Sequence, residues 1–551
     1  MNGQLVCLFA LWVAFSAAEL IVTTKNGKIR GTTLKTGNEP PVEAFLGIPY
    51  AVPPLGDLRF QETHPTEDWE GILDATKEGK FCIANDFLDN ADAQSEDCLF
   101  LNVFSPNTSG NYAVMVFIHG GRYVSGSIQL AMYNPSSLVA EGVVVATLQY
   151  RLGPYGLLST EDLVVPGNAG MKDQVLALQW IKDNIGSFGG DPEKITIFGE
   201  SAGGSACGLQ VLSPKSAGLF RAAICQSGSG LTPFSVNRHP RRYAYQLAAL
   251  LDSSVSESTH DSAQLLEFLK LQTPDAIINA SLVLATVLEK EDGQPSPSIE
   301  VDHEGAFLIE NPYETMQKGT FNTVPMILGL VSEESLLFMN SLEIIKAEAE
   351  RLDSEDGYIY PYDFEPKNPS DGKEIQQYIR NIYLVPNGTF SDNLYAVVKY
   401  RSDDMFNRGV IKHAEMQSQY ADVYFYQFSY KGSLNLPHED LQGSEGMCGH
   451  ADDLFYLFDT EMAAQMQQSD SDRLTLKRMV RLWTNFAKYL NPTPTPDALL
   501  GNVIWPKLEK ENFRVFNINR TLEVVDNPKE ETYAKWSEAY YKWNKTPFIT
   551  F

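Results

Sequence analysis

The sequence predicts an α/β fold: a mostly parallel central sheet flanked by helices on both faces. Short runs of Val, Ile, Leu and Phe recur along the chain. They are nearly continuously apolar rather than alternating, as in strands covered on both sides. Stretches with helical apolar spacing separate them, which favours a doubly wound sheet. The runs are AVMVFIH (113–119), VVVATLQY (143–150), KITIFGE (194–200), AAICQS (222–227), VPMILGL (324–330) and DVYFYQFS (422–429). DQVLALQWIKDNIGSFGG (173–190) reads as a helix that packs through Leu176, Leu178, Trp180 and Ile181 and ends in glycines. Helical spacing returns at 240–251, 262–270 and 474–490. Residues 252–320 read as a polar, mostly helical excursion over the carboxyl edge of the sheet. The acidic stretch 352–374, with its Pro and Gly, reads as a surface loop.

The 551 residues can bury a large core. Lys and Arg number 43 against 70 Asp and Glu, a formal charge of −27. Such a surface repels phosphate backbones and anionic bilayers, so neither nucleic acid nor membrane is expected as a partner. Residues 1–18, MNGQLVCLFALWVAFSAA, fit a signal peptide: an apolar stretch too short to span a bilayer, with small residues Ser16 and Ala18 for cleavage. Its first residues carry no Lys or Arg. The expected mature chain is a single domain, 19–551, extracellular. Sequons at Asn107, Asn279, Asn387, Asn519 and Asn544 agree with secretion, the last crowded by Pro547.

With Cys7 removed, five cysteines remain. Cys82 and Cys98 flank a polar loop and are the best disulfide pair for an oxidising compartment. Cys207 and Cys225 read as buried thiols. Cys448-x-His450 has metal-like spacing, but no second ligand cluster accompanies it, so neither metal nor cofactor is expected.

The chemistry centres on Gly199-Glu200-Ser201-Ala202-Gly203. G-x-S-x-G arises by accident in about one chain of this length in five, so its setting must carry the argument. Here it follows a predicted strand and opens a helix-compatible run, the setting of a nucleophile elbow. FIHGGRYVSGS (117–127) ends another strand in paired glycines, as an oxyanion turn does, and the expected donors are the amides of Gly121, Arg122 and Ala202. A nucleophilic serine also needs a base and an orienting acid. Among the eight histidines, His119 is tied into the oxyanion turn, and His64, His239, His260, His303, His413 and His438 lie in polar, featureless stretches. His450 stands in a Gly-rich loop before an apolar segment. The acid candidates are Glu334 and its neighbour Glu333, directly after VPMILGL. The order Ser201, Glu334, His450 is nucleophile, acid, base.

These motifs resemble the type-B carboxylesterase/cholinesterase family, and insect secreted carboxylesterases most. The resemblance runs from EAFLGIPYAVPPLGDLRF (43–60) almost to the C-terminus and includes SEDCLFLNV (95–103), PGNAGMKDQVLALQWIKDNIGSFGGDP, ITIFGESAGG, GLVSEES and HADDLFYLF. It implies an α/β-hydrolase fold with the site at the base of a gorge, a Cys82–Cys98 disulfide, and a Ser201–His450–Glu334 triad in which Glu334 rather than Glu333 is the acid. Glu200 is expected beside the leaving group, and Ser227 is expected to hydrogen-bond the Glu334–His450 pair.

Two positions depart from the family pattern: Arg122 replaces a third glycine of the oxyanion turn, and Met447 a glycine three residues before the base. The disulfide loop has Phe87 as its only aromatic, without the tryptophan that holds choline in acetylcholinesterases. Juvenile hormone esterases usually carry Gln where this chain has Glu200. The expected activity is hydrolysis of small to medium carboxylic esters, whether xenobiotic, dietary or semiochemical, with organophosphates as suicide inhibitors of Ser201. The alternatives are a slow-turnover ester-sequestering protein and a juvenile hormone esterase-like activity.

Overall fold

The structure, a computed structural model, describes residues 19–35, 40–84, 93–287, 294–354, 359–361, 363–438, 441, 447–509 and 511–551. The expected signal peptide 1–18, Phe87 and Gly446 lie outside the described residues. An eleven-stranded sheet forms the centre: β1 (Thr32–Leu34), β2 (Val42–Pro49), β3 (Phe100–Ser105), β4 (Tyr112–Ile118), β5 (Val143–Leu148), β6 (Gly190–Glu200), β7 (Ala222–Gln226), β8 (Met326–Val331), β9 (Val423–Phe428), β10 (Arg514–Ile518) and β11 (Glu523–Asp526). Their spatial order is β11-β10-β9-β8-β7-β6-β4-β5-β3-β2-β1.

The six apolar runs of the sequence are β4 to β9. Every residue of β5, β7 and β8 is buried, which accounts for their unbroken apolar character. The sheet is mixed, with the expected parallel pairing through its centre. The seven strands from β10 to β5 pair in parallel, whereas β1, β2, β3 and β11 join antiparallel at the two edges. An antiparallel strand can leave one side in water, and β1 and β11 are only half covered, so the edges lack the continuous apolar signal that marked the centre.

Helices α1 (Ala169–Asn184) and α2 (Ala202–Leu212) cover one face of the sheet, with Trp180, Ile181 and Val211 in its core. Beyond them lie α3 (Pro240–Leu251), α4 (Ser262–Lys270) and α5 (Pro274–Val287), which share a smaller core with Tyr155 and Leu158. Two helices, α6 (Leu394–Ser402) and α7 (Arg408–Gln417), are joined without a break by a π-helical turn over Asp403–Asn407. On the opposite face α8 (Asp470–Tyr489) starts at a capping box formed by Ser469 and Asp472 and buries Trp483 and Phe486. Cys82 and Cys98 form the expected disulfide. Cys207, Cys225 and Cys448 are buried free thiols.

One buried charge cluster fastens α7 to the C-terminal segment. The Arg408 guanidinium, fully buried, donates to Asp363 through Nη2 and Nη1 at 2.6 and 3.1 Å. Tyr540 and Thr550 add hydroxyl donors to the same carboxylate at 2.8 and 3.0 Å. Removing the arginine leaves a core carboxylate without its hydrogen-bonded cation and with Arg238 only at 4.0 Å. Arg408→Ala is therefore expected to cost about 3–5 kcal/mol, read as a lower urea midpoint with an unchanged slope.

Candidate active site

In a doubly wound sheet, clefts open at the carboxyl ends of the strands, where neighbouring strands send the chain to opposite sides. β4 and β6 are such a pair: adjacent in space, with β5 on the outer side of β4. The turn after β4 is His119-Gly120-Gly121-Arg122, and β6 ends at Glu200-Ser201. Ser227 follows β7 and Glu334 follows β8; His450 lies in the connection after β9.

Ser201 caps α2 with φ 59° and ψ −125°, a conformation that L residues rarely hold outside over-determined turns. Its amide donates to the Gln226 carbonyl of β7 at 2.8 Å, and its carbonyl accepts from Ser205. The glycines of the motif are demanded by backbone proximity. A Cβ on Gly203 would lie 2.1 Å from the Ile118 carbonyl oxygen, and one on Gly199 2.5 Å from the same atom. The turn after β4 is equally close, since a Cβ on Gly120 would meet the Glu200 carbonyl oxygen at 2.6 Å and Ser201 Cβ at 3.1 Å. Ala202 occupies the first position of α2, where an amide has no acceptor within the helix. Gly121 and Arg122 both have positive φ, 106° and 55°, and the Arg122 side chain is exposed rather than folded into the turn.

Glu334 and His450 are brought together by a short backbone zipper. The Cys448 amide donates to Ser332 Oγ, the Glu333 amide to the Cys448 carbonyl, and the His450 amide to the Glu334 carbonyl. Asp452 holds the other side of this loop by accepting from the amides of Gly449 and Leu436. The result sets His450 Nδ1 2.6 Å from Glu334 Oε2. Glu334 Oε1 accepts from Ser227 Oγ at 2.7 Å and from the Val331 amide at 2.9 Å, so this fully buried carboxylate is saturated. Glu333 turns away and accepts from Tyr395.

The second imidazole nitrogen, Nε2, lies 2.9 Å from Glu200 Oε1, a charge contact whose angle is not that of a hydrogen bond. Burial pushes the His450 pKa down. Glu200 and Glu334 outweigh it and hold the pKa at about 10. Asp453 goes the other way from an ordinary aspartate: burial, then the Glu200 charge, lifts it to about 7 despite hydrogen bonds from Gln226 and Tyr426. Burial alone keeps His413 near 3, with neither ring nitrogen hydrogen-bonded among the described residues; the polar stretch expected around it is core instead. His119, stacked on Tyr150, is held by burial at about 4.

Four further residues that the sequence did not single out belong to the same cluster, two against the imidazole and two behind its carboxylates. Asp453 lies in the HADDLFYLF motif, where an acid inside an apolar run was the available signal. Gln226 precedes Ser227. Phe406 and Phe338, whose ring centroids lie 4.4 and 5.8 Å from that of His450, carry no local signal. Glu62, Glu300 and His303 form the one metal-like group among the described residues, and the Lys172 ammonium bonds both carboxylates. Of the sequons, Asn107, Asn279 and Asn387 are exposed and Asn519 is half-buried. Asn544 is a correction: it is 4% exposed and its side-chain oxygen accepts from the Glu365 amide at 2.7 Å, so a glycan there has no room.

A histidine whose folded pKa is about 10, against about 6.5 in an unfolded chain, binds its proton more tightly when folded. It stabilises the fold fully below about pH 6.5, and that contribution is lost as pH rises towards 10. Nitrogen NMR of His450 is expected to show an imidazolium at pH 7, with a titration midpoint that drops in Glu200→Gln.

A profile of the carboxylesterase family matches residues 18–536. The chain is 32% identical to juvenile hormone esterase of Tribolium castaneum, over 94% of this chain and 92% of that one. It is 31% identical to venom carboxylesterase-6 of Apis mellifera over 98% of both, and 30% identical to neuroligin-2 of Rattus norvegicus over 94% of this chain and 67% of the relative. With the α/β architecture and the residues gathered at the carboxyl ends of its strands, this protein belongs to the carboxylesterase family.

Proposed function

We propose that the chain is a secreted serine carboxylesterase, processed after residue 18, whose residues 19–551 act as one domain without metal or cofactor on small to medium carboxylic esters. The observation that carries this reading is the 2.6 Å contact between His450 Nδ1 and Glu334 Oε2, made beside the strained turn that presents Ser201. Ser201 Oγ attacks the ester carbonyl as its proton passes to His450 Nε2. The oxyanion is met by the amides of Gly121, Arg122 and Ala202, each such donor contributing about 2.7–4 kcal/mol in comparable sites. His450 then protonates the departing alcohol, and water repeats the sequence to release the acid. Glu334, oriented by Ser227, stabilises the imidazolium. Glu200 lies where it competes with Ser201 for Nε2, so the productive form requires the imidazole to give up its proton and its contact with Glu200. Organophosphates follow the acylation path and phosphorylate Ser201.

The named relatives leave the ester open. Hydrolysis of juvenile hormone is a narrower version of the same reading, and Glu200 in place of the usual Gln weighs against it. Neuroligin-2 favours a second reading, an ester-binding protein with slow turnover, which a strongly basic His450 would also produce.

Purified chain should hydrolyse p-nitrophenyl acetate and butyrate continuously, with Ser201→Ala lowering kcat by more than about 10⁴-fold. A single-equivalent burst followed by silence would move the assignment to sequestration. Because Glu200 is the strongest charge raising His450, Glu200→Gln is expected to shift the acid limb of kcat/KM to lower pH.

A further inference from the structure

We infer that Phe406 is a positioning residue for His450: it fixes the plane of the imidazole and presents an aromatic face to the imidazolium that forms in each half of the reaction. This rests on the esterase reading for its kinetic consequence, though not for the contact itself.

The two ring centroids are 4.4 Å apart with 37° between planes, well inside the roughly 6 Å at which a cation is attracted to a ring quadrupole. Phe406 is 2% exposed and cannot drift, because its own ring is braced by Phe338 at 6.1 Å, nearly coplanar, and by the edge of Phe234 at 5.5 Å. The backbone beneath it is the π-helical turn Asp403–Asn407, and such single turns persist mostly where function compensates for their poorer geometry. That turn is pinned on both sides. Asp403 accepts from Tyr383 and Asn407 at 2.8 and 2.6 Å, and Asp404 accepts from Arg401 at 2.9 Å. The extra residue in the turn shifts the helical register and helps bring the phenyl ring onto the imidazole.

The groups facing His450 then have separate tasks. Glu334 holds Nδ1, Glu200 faces Nε2, and Asp453 interacts electrostatically with both carboxylates. None of these restrains rotation of the ring out of its plane; Phe406, with Phe338 beside it, does. A phenyl face also favours the charged imidazole over the neutral one, so, counted from the neutral imidazole that takes up the proton, it lowers the barrier to both acylation and deacylation.

The test compares wild type, Phe406→Leu and Phe406→Tyr in the full chain, with active sites counted by stoichiometric fluorophosphonate labelling. Leucine retains bulk without a π face, whereas tyrosine retains the face. Per labelled site, Phe406→Leu is expected to lower the limiting kcat for p-nitrophenyl acetate, read on the plateau of its pH profile, about 2- to 30-fold with KM within threefold, and Phe406→Tyr is expected to stay near wild type. Nitrogen NMR should place the His450 titration midpoint lower in the leucine variant. A leucine variant that merely has fewer labelled sites, each turning over at the wild-type rate, overturns the proposal, as does an unchanged His450 midpoint. Should wild type prove no faster than Ser201→Ala, the esterase reading fails. The NMR midpoint then still decides whether Phe406 stabilises the imidazolium.

Discussion

One imidazole has to compensate three buried carboxylates. Glu200, Glu334 and Asp453 are each at most 4% exposed, and His450 is the cation placed directly against two of them. Charges taken out of water are costly unless paired and hydrogen-bonded. The surroundings meet that cost unevenly. Glu334 is saturated by Ser227, Val331 and His450. Glu200 Oε1 and Asp453 Oδ1 each lack a hydrogen-bond partner among the described residues. Such asymmetry clusters at functional sites: Glu334 is held rigidly, and Glu200 and Asp453 are not.

The sheet makes this arrangement attainable. Consecutive carboxyl ends of β4, β6, β7 and β8 deliver the His119–Arg122 turn, Ser201, Ser227 and Glu334 in spatial order, and each is set by its strand rather than by a loop of its own. The positive φ values at Gly121, Arg122, Ser201 and Ser227 mark where the chain turns sharply off those strands. Backbone strain is thus concentrated in a few residues, and β7 and the buried C-terminal half of β6 behind them hold it in place.

The central strands and the site were legible in the sequence for the same reason. A strand buried on both faces leaves a continuous apolar run, and the residues at its end are short, polar and glycine-rich, which is a sharp contrast. Glu334 and His450 could be paired because each sits beside such a run. The outermost strands β1 and β11 were not legible, since half-exposed strands of three or four residues blend into loop composition. Phe406 was invisible for a different reason: an apolar residue within a helical pattern reads as core, and its place beside His450 depends on a π turn that no local spacing announces. Burial at Asn544 was not legible either, because a sequon records chemistry and not burial.

The zipper between 332–334 and 447–450 has a wider consequence. It closes the chain between the acid and the base into a lobe whose two ends are stapled side by side by hydrogen bonds of its own backbone and Ser332. Lengthening or shortening such a closed excursion changes its closure entropy only slowly, by about 0.6 kcal/mol for a doubling. The lobe also supplies Phe338 and Phe406. The Glu334–His450 contact can therefore stay fixed while the intervening chain outside β9 is rebuilt, so descendants of this scaffold can exchange one wall of the site for another without reassembling that pair.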